Sequence, residues 1–326
     1  MHNLKNSRVL ITGGAGFVGS FIADLLVDEG VKEIILLDNF VRGSKKNVEK
    51  ALSSGIVTLV EGDICDIELL NALFENVEYC FHMAALRITR CAENPREALE
   101  VMFDGTFNVI EACIQHQVKK IVAASSASIY GQAEIFPIHE NHHPYNNRTL
   151  YGAAKTANEL MLRAFHDMNK LDYVAMRYFN VFGPRMDTEG KYTEVLIRWY
   201  HLIKQGKPPL IFGDGDQSMD FVFVEDVARS NILALKSDVT DEIFNVASQV
   251  ETSLKELCHA LLKAMKSDLK PEFLPLPPER KAVEVKRRLA DTTKAKEMIG
   301  FEATVSLEDG LKSLVNWLDG LEVGLH

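Results

Sequence analysis

Tyr151 and Lys155 stand four apart in the segment Tyr151-Gly152-Ala153-Ala154-Lys155. On a helix that spacing puts both side chains on one face, with an ammonium beside a phenol. A phenol ordinarily titrates near ~10, so a tyrosine base near neutrality needs roughly 4 kcal/mol of help. Adjacent positive charge can supply it. Upstream, Thr12-Gly13-Gly14-Ala15-Gly16-Phe17-Val18-Gly19 sets glycines three apart, directly between an apolar strand-like run and a helix-like one. In that context Gly13 permits a tight turn, Gly16 lets a pyrophosphate approach the backbone, and Gly19 lets helix and strand pack closely. The helix N-terminal amides then face the phosphates. Asp38 ends the next strand-like run, where an acid bonds adenosine ribose hydroxyls and repels a 2′-phosphate. NAD is therefore expected over NADP, although Arg42, Lys45 and Lys46 nearby weigh the other way. Asp63 is placed to accept from the adenine amino group. The two motifs together describe a dinucleotide held over a tyrosine that moves a proton.

Strand-like and helix-like segments alternate through the first half, the signature of a parallel α/β sheet. Strands are expected at 8–12, 33–38, 57–61, 79–82, 120–125 and 173–177, and helices at 17–29, up to Phe74, and over 95–116. A long loop is expected after His82, and the helix carrying Tyr151 falls between the fifth and sixth strands. Beyond Gly183-Pro184 the rhythm breaks into helices near 193–205 and 252–266 and extended pieces at 208–212 and 241–246. The expected fold is a Rossmann-type doubly wound sheet with a smaller C-terminal α/β lobe over its carboxyl edge. Residues 1–180 bind the dinucleotide and carry the catalytic helix. Residues 181–326 mostly form the substrate lobe, with crossings between lobes allowed.

The 326-residue chain is 47% apolar and 25% charged, with a formal charge of −10. Those proportions are ordinary for a soluble globular protein, and the acidic balance argues against a general nucleic-acid binder. Five scattered cysteines (Cys65, Cys80, Cys91, Cys113, Cys258) form no CxxC pair, so reduced thiols in the cytoplasm are expected, with no metal site. His139, His142 and His143 resemble metal ligands at a glance but lie in a Pro-flanked loop without a second cluster. The apolar start is interrupted by glycines, unlike a secretory leader, and no run is long enough to span a membrane.

Further markers accumulate along the chain: His82-Met83-Ala84-Ala85, Ser125-Ser126-Ala127-Ser128-Ile129-Tyr130-Gly131, Arg177-Tyr178-Phe179-Asn180-Val181-Phe182-Gly183-Pro184, Gly213-Asp214-Gly215-Asp216-Gln217 with Asp220-Phe221, and Ala290-Asp291 with Lys294-Ala295. With these the chain resembles an extended short-chain dehydrogenase/reductase of the nucleotide-sugar epimerase/dehydratase group, similar to UDP-glucose 4-epimerases, over nearly its whole length. The resemblance implies that Tyr151 is the catalytic base, that Lys155 bonds the nicotinamide ribose and lowers the tyrosine pKa, and that Ser126 bonds the reacting sugar hydroxyl. It implies NAD contacts from Gly13, Gly16, Phe17, Val18, Gly19, Asp38, Asn39, Asp63, Ile64, Ala84, Tyr151 and Lys155. It implies contacts to a nucleoside-diphosphate sugar from Arg87, Ser126, Ser128, Asn180 and Arg280.

The family's dehydratases place an Asp-Glu pair after the catalytic Ser/Thr, and its decarboxylases a Glu. Here those positions are Ala127 and Ser128, which leaves C4 epimerisation through a transient 4-keto sugar. A 4-ketoreductase, or an epimerase acting at C2 or C3/C5, is the alternative within the group, and an idle NAD-sensing protein the alternative outside it. Three departures stand out: Leu86–Cys91 replaces the usual Ser-Val segment, Met102 the usual Asn, and Met219 the usual diphosphate-binding Arg. Arg87, Arg90, Arg185, Arg280 and Arg288 are the candidates to compensate. The resemblance also implies a homodimer, built on helix faces around Phe103, Phe107 and Ile110 and around Leu160, Met161 and Ala164.

Overall fold

Seven parallel strands form the centre of the computed structural model, which describes residues 2–188, 194–276 and 285–323. They are β1 (Arg8–Thr12), β2 (Glu33–Asp38), β3 (Val57–Glu61), β4 (Tyr79–His82), β5 (Lys120–Ser126), β6 (Asp172–Tyr178) and, after β7 (Asn180–Phe182), β8 (Leu210–Phe212) and β9 (Ser218–Phe223), the strand β10 (Glu242–Val246). Their spatial order is β10-β6-β5-β4-β1-β2-β3. The order reverses between β1 and β4, so a crevice opens at their carboxyl ends, where such sheets bind ligands.

The inner strands are apolar at successive positions because helices cover both faces. One face sets Val9, Ile11, Ile34, Leu36 and Phe81 against the helices Phe17–Asp28 and Val224–Lys236. The other sets Leu10, Ile35, Leu37, Cys80 and Ile121 against Thr106–Gln115 and Leu150–Asn169. A third core, around Phe182, Trp199, Tyr200, Leu257 and Leu314, supports the outer lobe. There, β11 (Glu251–Ser253) pairs antiparallel with β9, and β12 (Glu272–Leu274) pairs with β8. Ser253 and Glu256 close a capping box on the helix Leu254–Ala264.

The structure refines the expected elements in three places. The strand Glu242–Val246 lies beyond the break at Gly183-Pro184 yet pairs in register along β6, one of the crossings between lobes allowed above, and the helix Val224–Lys236, a segment with no assignment from the sequence, packs on the same sheet. The loop after His82 contains a short helix, Ile88–Glu93. The segment expected as one helix over 95–116 is continuous but carries a π-turn, Glu100–Gly105, between Pro95–Leu99 and Thr106–Gln115. Gly105 lies so close to the Ile64 side chain that a Cβ there would meet it at 2.8 Å. No described helix is long and apolar enough to cross a membrane.

Candidate active site

A cavity of about 840 Å³ runs along the carboxyl ends of the strands from Asp38 and Asp63 to Met219 and Leu254. It brings together nearly every residue singled out in the sequence: Gly13, Gly16, Phe17, Val18, Gly19, Asp38, Asn39, Asp63, Ile64 and Ala84 at one end, and Arg87, Ser126, Ser128, Tyr151, Lys155 and Asn180 towards the other. Arg280 lies outside the described residues.

The glycine turn is shaped by close approach. Gly13 has φ +66°, and a Cβ on it would sit 2.7 Å from the Ala84 nitrogen; one on Gly19 would sit 2.3 Å from the Gly13 oxygen. Gly16 is the N-cap of Phe17–Asp28 without any side-chain cap, and the first turn carries no acid. The leading amides therefore stand open to the cavity, an arrangement that suits a pyrophosphate. Asp38 is buried; its two oxygens accept from the Ala15 and Phe40 amides, both at 2.9 Å. Burial raises its pKa, against those amide bonds. The acid thus ties β2 to the glycine turn while keeping lone pairs for hydroxyl donors. Asn39 Nδ2 donates to Asp63 Oδ2 at 2.7 Å, and Asp63 Oδ1 accepts from the Cys65 amide. Burial works to raise the Asp63 pKa, but these donors outweigh it and the carboxyl is held low. The cradle fits a dinucleotide.

At the other end, Thr149 caps the helix Leu150–Asn169 by accepting from the Gly152 amide, which fixes Tyr151 and Lys155 in the first two turns. Ser126 ends β5 and accepts from the Ser128 amide, and its hydroxyl lines the same cavity as the Tyr151 phenol, whose pKa it lowers. Burial raises the Tyr151 pKa, opposed by Ser126 and by the charges of Arg42 and Arg288. The Lys155 ammonium lies 5.9 Å from the Tyr151 ring centroid and donates to the Ala124 carbonyl at 2.6 Å. Burial pushes its pKa down to about 8, against the nearby Glu159. In the chain by itself the groups opposing the rise of the phenol's pKa are Ser126, Arg42 and Arg288.

Several supporting residues escaped the sequence reading. Arg177 grips Glu159 with Nε and Nη2 at 2.8 and 2.6 Å, and its Nη1 reaches the Tyr130 hydroxyl and the Glu140 carbonyl. Glu159 also accepts from the Ser125 hydroxyl, directly beneath Ser126. His82, buried and pushed down to about 3, is a neutral bridge between the Thr12 and Thr106 hydroxyls. The one available signal was Glu159, four beyond Lys155 on the same helix face.

The compensating arginines separate clearly. Arg90 pairs with Glu97 at the surface, and Arg185 pairs with Asp24 while stacking over Phe21. Arg87 lines the cavity and pairs with Asp187 at 2.9 Å. Arg288 lines the cavity beside Met219. Asn180 commits its amide to the Asp220 carbonyl. His142 accepts from the Glu134 amide, and among the described residues no three His, Cys, Asp or Glu side chains are grouped to hold a metal. Ile110, expected on a partner-facing surface, is fully buried in the sheet's own core, whereas Phe107 and Leu160 are exposed.

Residues 9–247 match the NAD dependent epimerase/dehydratase family. The UDP-glucose 4-epimerase of Mycolicibacterium smegmatis is 33% identical over 313 residues, covering 95% of this chain and 98% of that one. The UDP-N-acetyl-alpha-D-glucosaminuronate decarboxylase of Bacillus cytotoxicus is 32% identical over 322 residues, covering 97% and 98%. Among solved structures, the UDP-N-acetylglucosamine 4-epimerase of Methanobrevibacter ruminantium superposes with a TM-score of 0.91 at 32% identity, covering 97% of this chain and 99% of its own. The uncapped helix over a glycine cradle, the Ser126–Tyr151 pair and these matches agree, and the chain belongs to the NAD-dependent epimerase/dehydratase family.

Proposed function

We propose that the protein is an NAD-dependent nucleotide-sugar 4-epimerase, interconverting C4 epimers of a nucleoside-diphosphate hexose. The observation that carries this reading is the gathering of Ser126, Tyr151 and Lys155 in one cavity with the glycine cradle, with no carboxylate at positions 127 and 128. Ala127 is buried and Ser128 has only a hydroxyl, so neither supplies the acid–base chemistry of dehydration or decarboxylation. Similarity to 4-epimerases supports the choice of carbon.

NAD, held by the glycine turn, Asp38, Asn39 and Asp63, supplies reversible hydride acceptance at the sugar carbon. Tyr151 takes the C4 hydroxyl proton as that carbon is oxidised and returns it when the ketone is reduced on its other face. Ser126 holds the same hydroxyl in line with the phenol. Lys155 would hold the nicotinamide ribose and bring its charge to the phenoxide. Asn180 and Ser128 orient the sugar-nucleotide. Because the oxidation is reversed within one cycle, the cofactor stays bound. The enzyme is read as a cytoplasmic homodimer; five free thiols, four of them buried, and the exposed Phe107, Leu160 and Met168 support that reading.

Proton NMR of UDP-, GDP-, CDP- and dTDP-hexoses, incubated with enzyme and no added cofactor, tests the reading. C4-epimeric product from at least one is expected. A requirement for stoichiometric NADH would instead indicate a ketoreductase.

A further inference from the structure

A buried polar row crosses the sheet one residue short of Ser126. Ser125 on β5, Arg177 on β6 and Asn245 on β10 stand directly opposite one another in register. Arg177 forms an ion pair with Glu159; both are buried, and neither lines the cavity. Taking two charges out of water is costly, and the pair recovers that cost only when the remaining lone pairs and protons are also bonded. Glu159 Oε2 accepts from Arg177 Nη2 at 2.6 Å. Its Oε1 accepts from Arg177 Nε at 2.8 Å and from the Ser125 hydroxyl at 2.5 Å. Arg177 Nη1 donates to the Tyr130 hydroxyl at 2.9 Å, and Tyr130 donates to Asn245 Oδ1 at 2.6 Å. Well-packed apolar side chains of like volume often fill such a space at least as stably, so stability alone is a weak account of the pair.

What the pair holds is the end of β5. Ala124, Ser125 and Ser126 are consecutive, and each is engaged differently. The Ala124 carbonyl accepts from the Lys155 ammonium at 2.6 Å, the Ser125 hydroxyl donates to Glu159, and the Ser126 hydroxyl lines the cavity with Tyr151. Lys155 and Glu159 lie four apart on the helix Leu150–Asn169, on one face. Two side-chain bonds, one turn apart, therefore pin the helix that carries Tyr151 to the strand that carries Ser126. We propose that Glu159 is a positioning residue of the reaction, acting through Ser125 to hold Ser126 in place against Tyr151. The proposal rests on the epimerase reading above. Of the two pins, Lys155 has work in the cavity itself, whereas Glu159 is anchored by Arg177 away from it. Reacting groups need to be held within about 0.5 Å of their working geometry, by neighbours whose own side chains are locked. Glu159 is locked by two bonds from one guanidinium, which fixes its direction as well as its charge.

The test uses Ser125→Ala, which cuts the tie but leaves the Glu159–Arg177 pair intact, with Glu159→Gln and the double variant beside it. The measurements are kcat and KM for the hexose of the NMR panel that wild type turns over fastest, thermal melts, and crystal structures of the NAD-bound enzymes. In Ser125→Ala the expected kcat is roughly 10-fold lower, with KM within about 2-fold of wild type. The Ser126–Tyr151 separation should lengthen by about 0.5 Å or more. The double variant should keep the kcat of Glu159→Gln alone, because Ser125 acts only with Glu159. Wild-type kcat in Ser125→Ala, whatever its melting temperature, overturns the proposal and leaves the pair a structural one. An unchanged Ser126–Tyr151 separation, or losses that multiply in the double variant, overturns it equally. Should Glu159→Gln fail to fold, Ser125→Ala decides alone. If wild type epimerises none of the panel, the epimerase reading fails and the crystallographic separation decides the positioning by itself.

Discussion

The charge states of Tyr151 and Lys155 are set from opposite sides of the site. The phenol is raised by burial and relieved by Ser126, Arg42 and Arg288; the ammonium is lowered to about 8 by burial and supported by Glu159. An unfolded lysine titrates near ~10.4. Between about pH 8 and that value the unfolded chain binds more protons, so the Lys155 contribution to stability rises with pH there and is least favourable below 8. Lys155→Met should therefore be inactive yet more stable than wild type below pH 8, by roughly 1–3 kcal/mol, with the margin shrinking towards pH 10. Thermal melts across that range check it. Ser126→Ala removes a hydroxyl that lowers the phenol pKa, so kcat should fall roughly 10²-fold and the acidic limb of kcat/KM should move to higher pH. A pH–rate profile reads both. At this scale the spacing of Tyr151 and Lys155 on one helix face could be read directly, whereas Ser126 was reached only through resemblance to the family. Arg288 and the Arg177–Glu159 pair acquire meaning only from partners brought close by folding.

Among the elements, the glycine turn and the catalytic helix depend on single contacts. In Gly19→Ala the new Cβ would lie 2.3 Å from a backbone oxygen, which cannot swing away as a side chain can. A loss of about 3 kcal/mol is expected, together with loss of bound NAD, measured by melts and by dinucleotide released on heating. Thr149→Ala removes the cap that seats Tyr151 and should cost about 1 kcal/mol while lowering kcat more than it changes KM. The strands of the first half were readable because burial on both faces writes continuous apolar runs. The π-turn at Glu100–Gly105 was not: the helical pattern carries no mark of it, and Gly105 within it packs on Ile64, 41 positions away in sequence. The same holds for β10, whose sequence says strand but does not say which sheet.

For the whole molecule, the sheet and the outer lobe together enclose one cavity, with Arg288 and Met219 contributed from the lobe and Tyr151 from the sheet side. Phe107, exposed on its helix, stacks edge-on against Phe165 at 5.6 Å, and Leu160 of the catalytic helix is also exposed. The homodimer proposed above predicts a dimeric mass for wild type and a monomeric one for Leu160→Glu in light scattering; a dimeric mass for both would remove that face from the proposed interface. The central claim is that the hydrogen taken from C4 is the one returned to it. Epimerisation in D₂O, followed by NMR of the product, tests this most directly. The account predicts C4-epimeric product without solvent deuterium on any ring carbon, and roughly 10³-fold less product with Tyr151→Phe. Deuterium at C3 or C5, or full turnover by Tyr151→Phe, would contradict it.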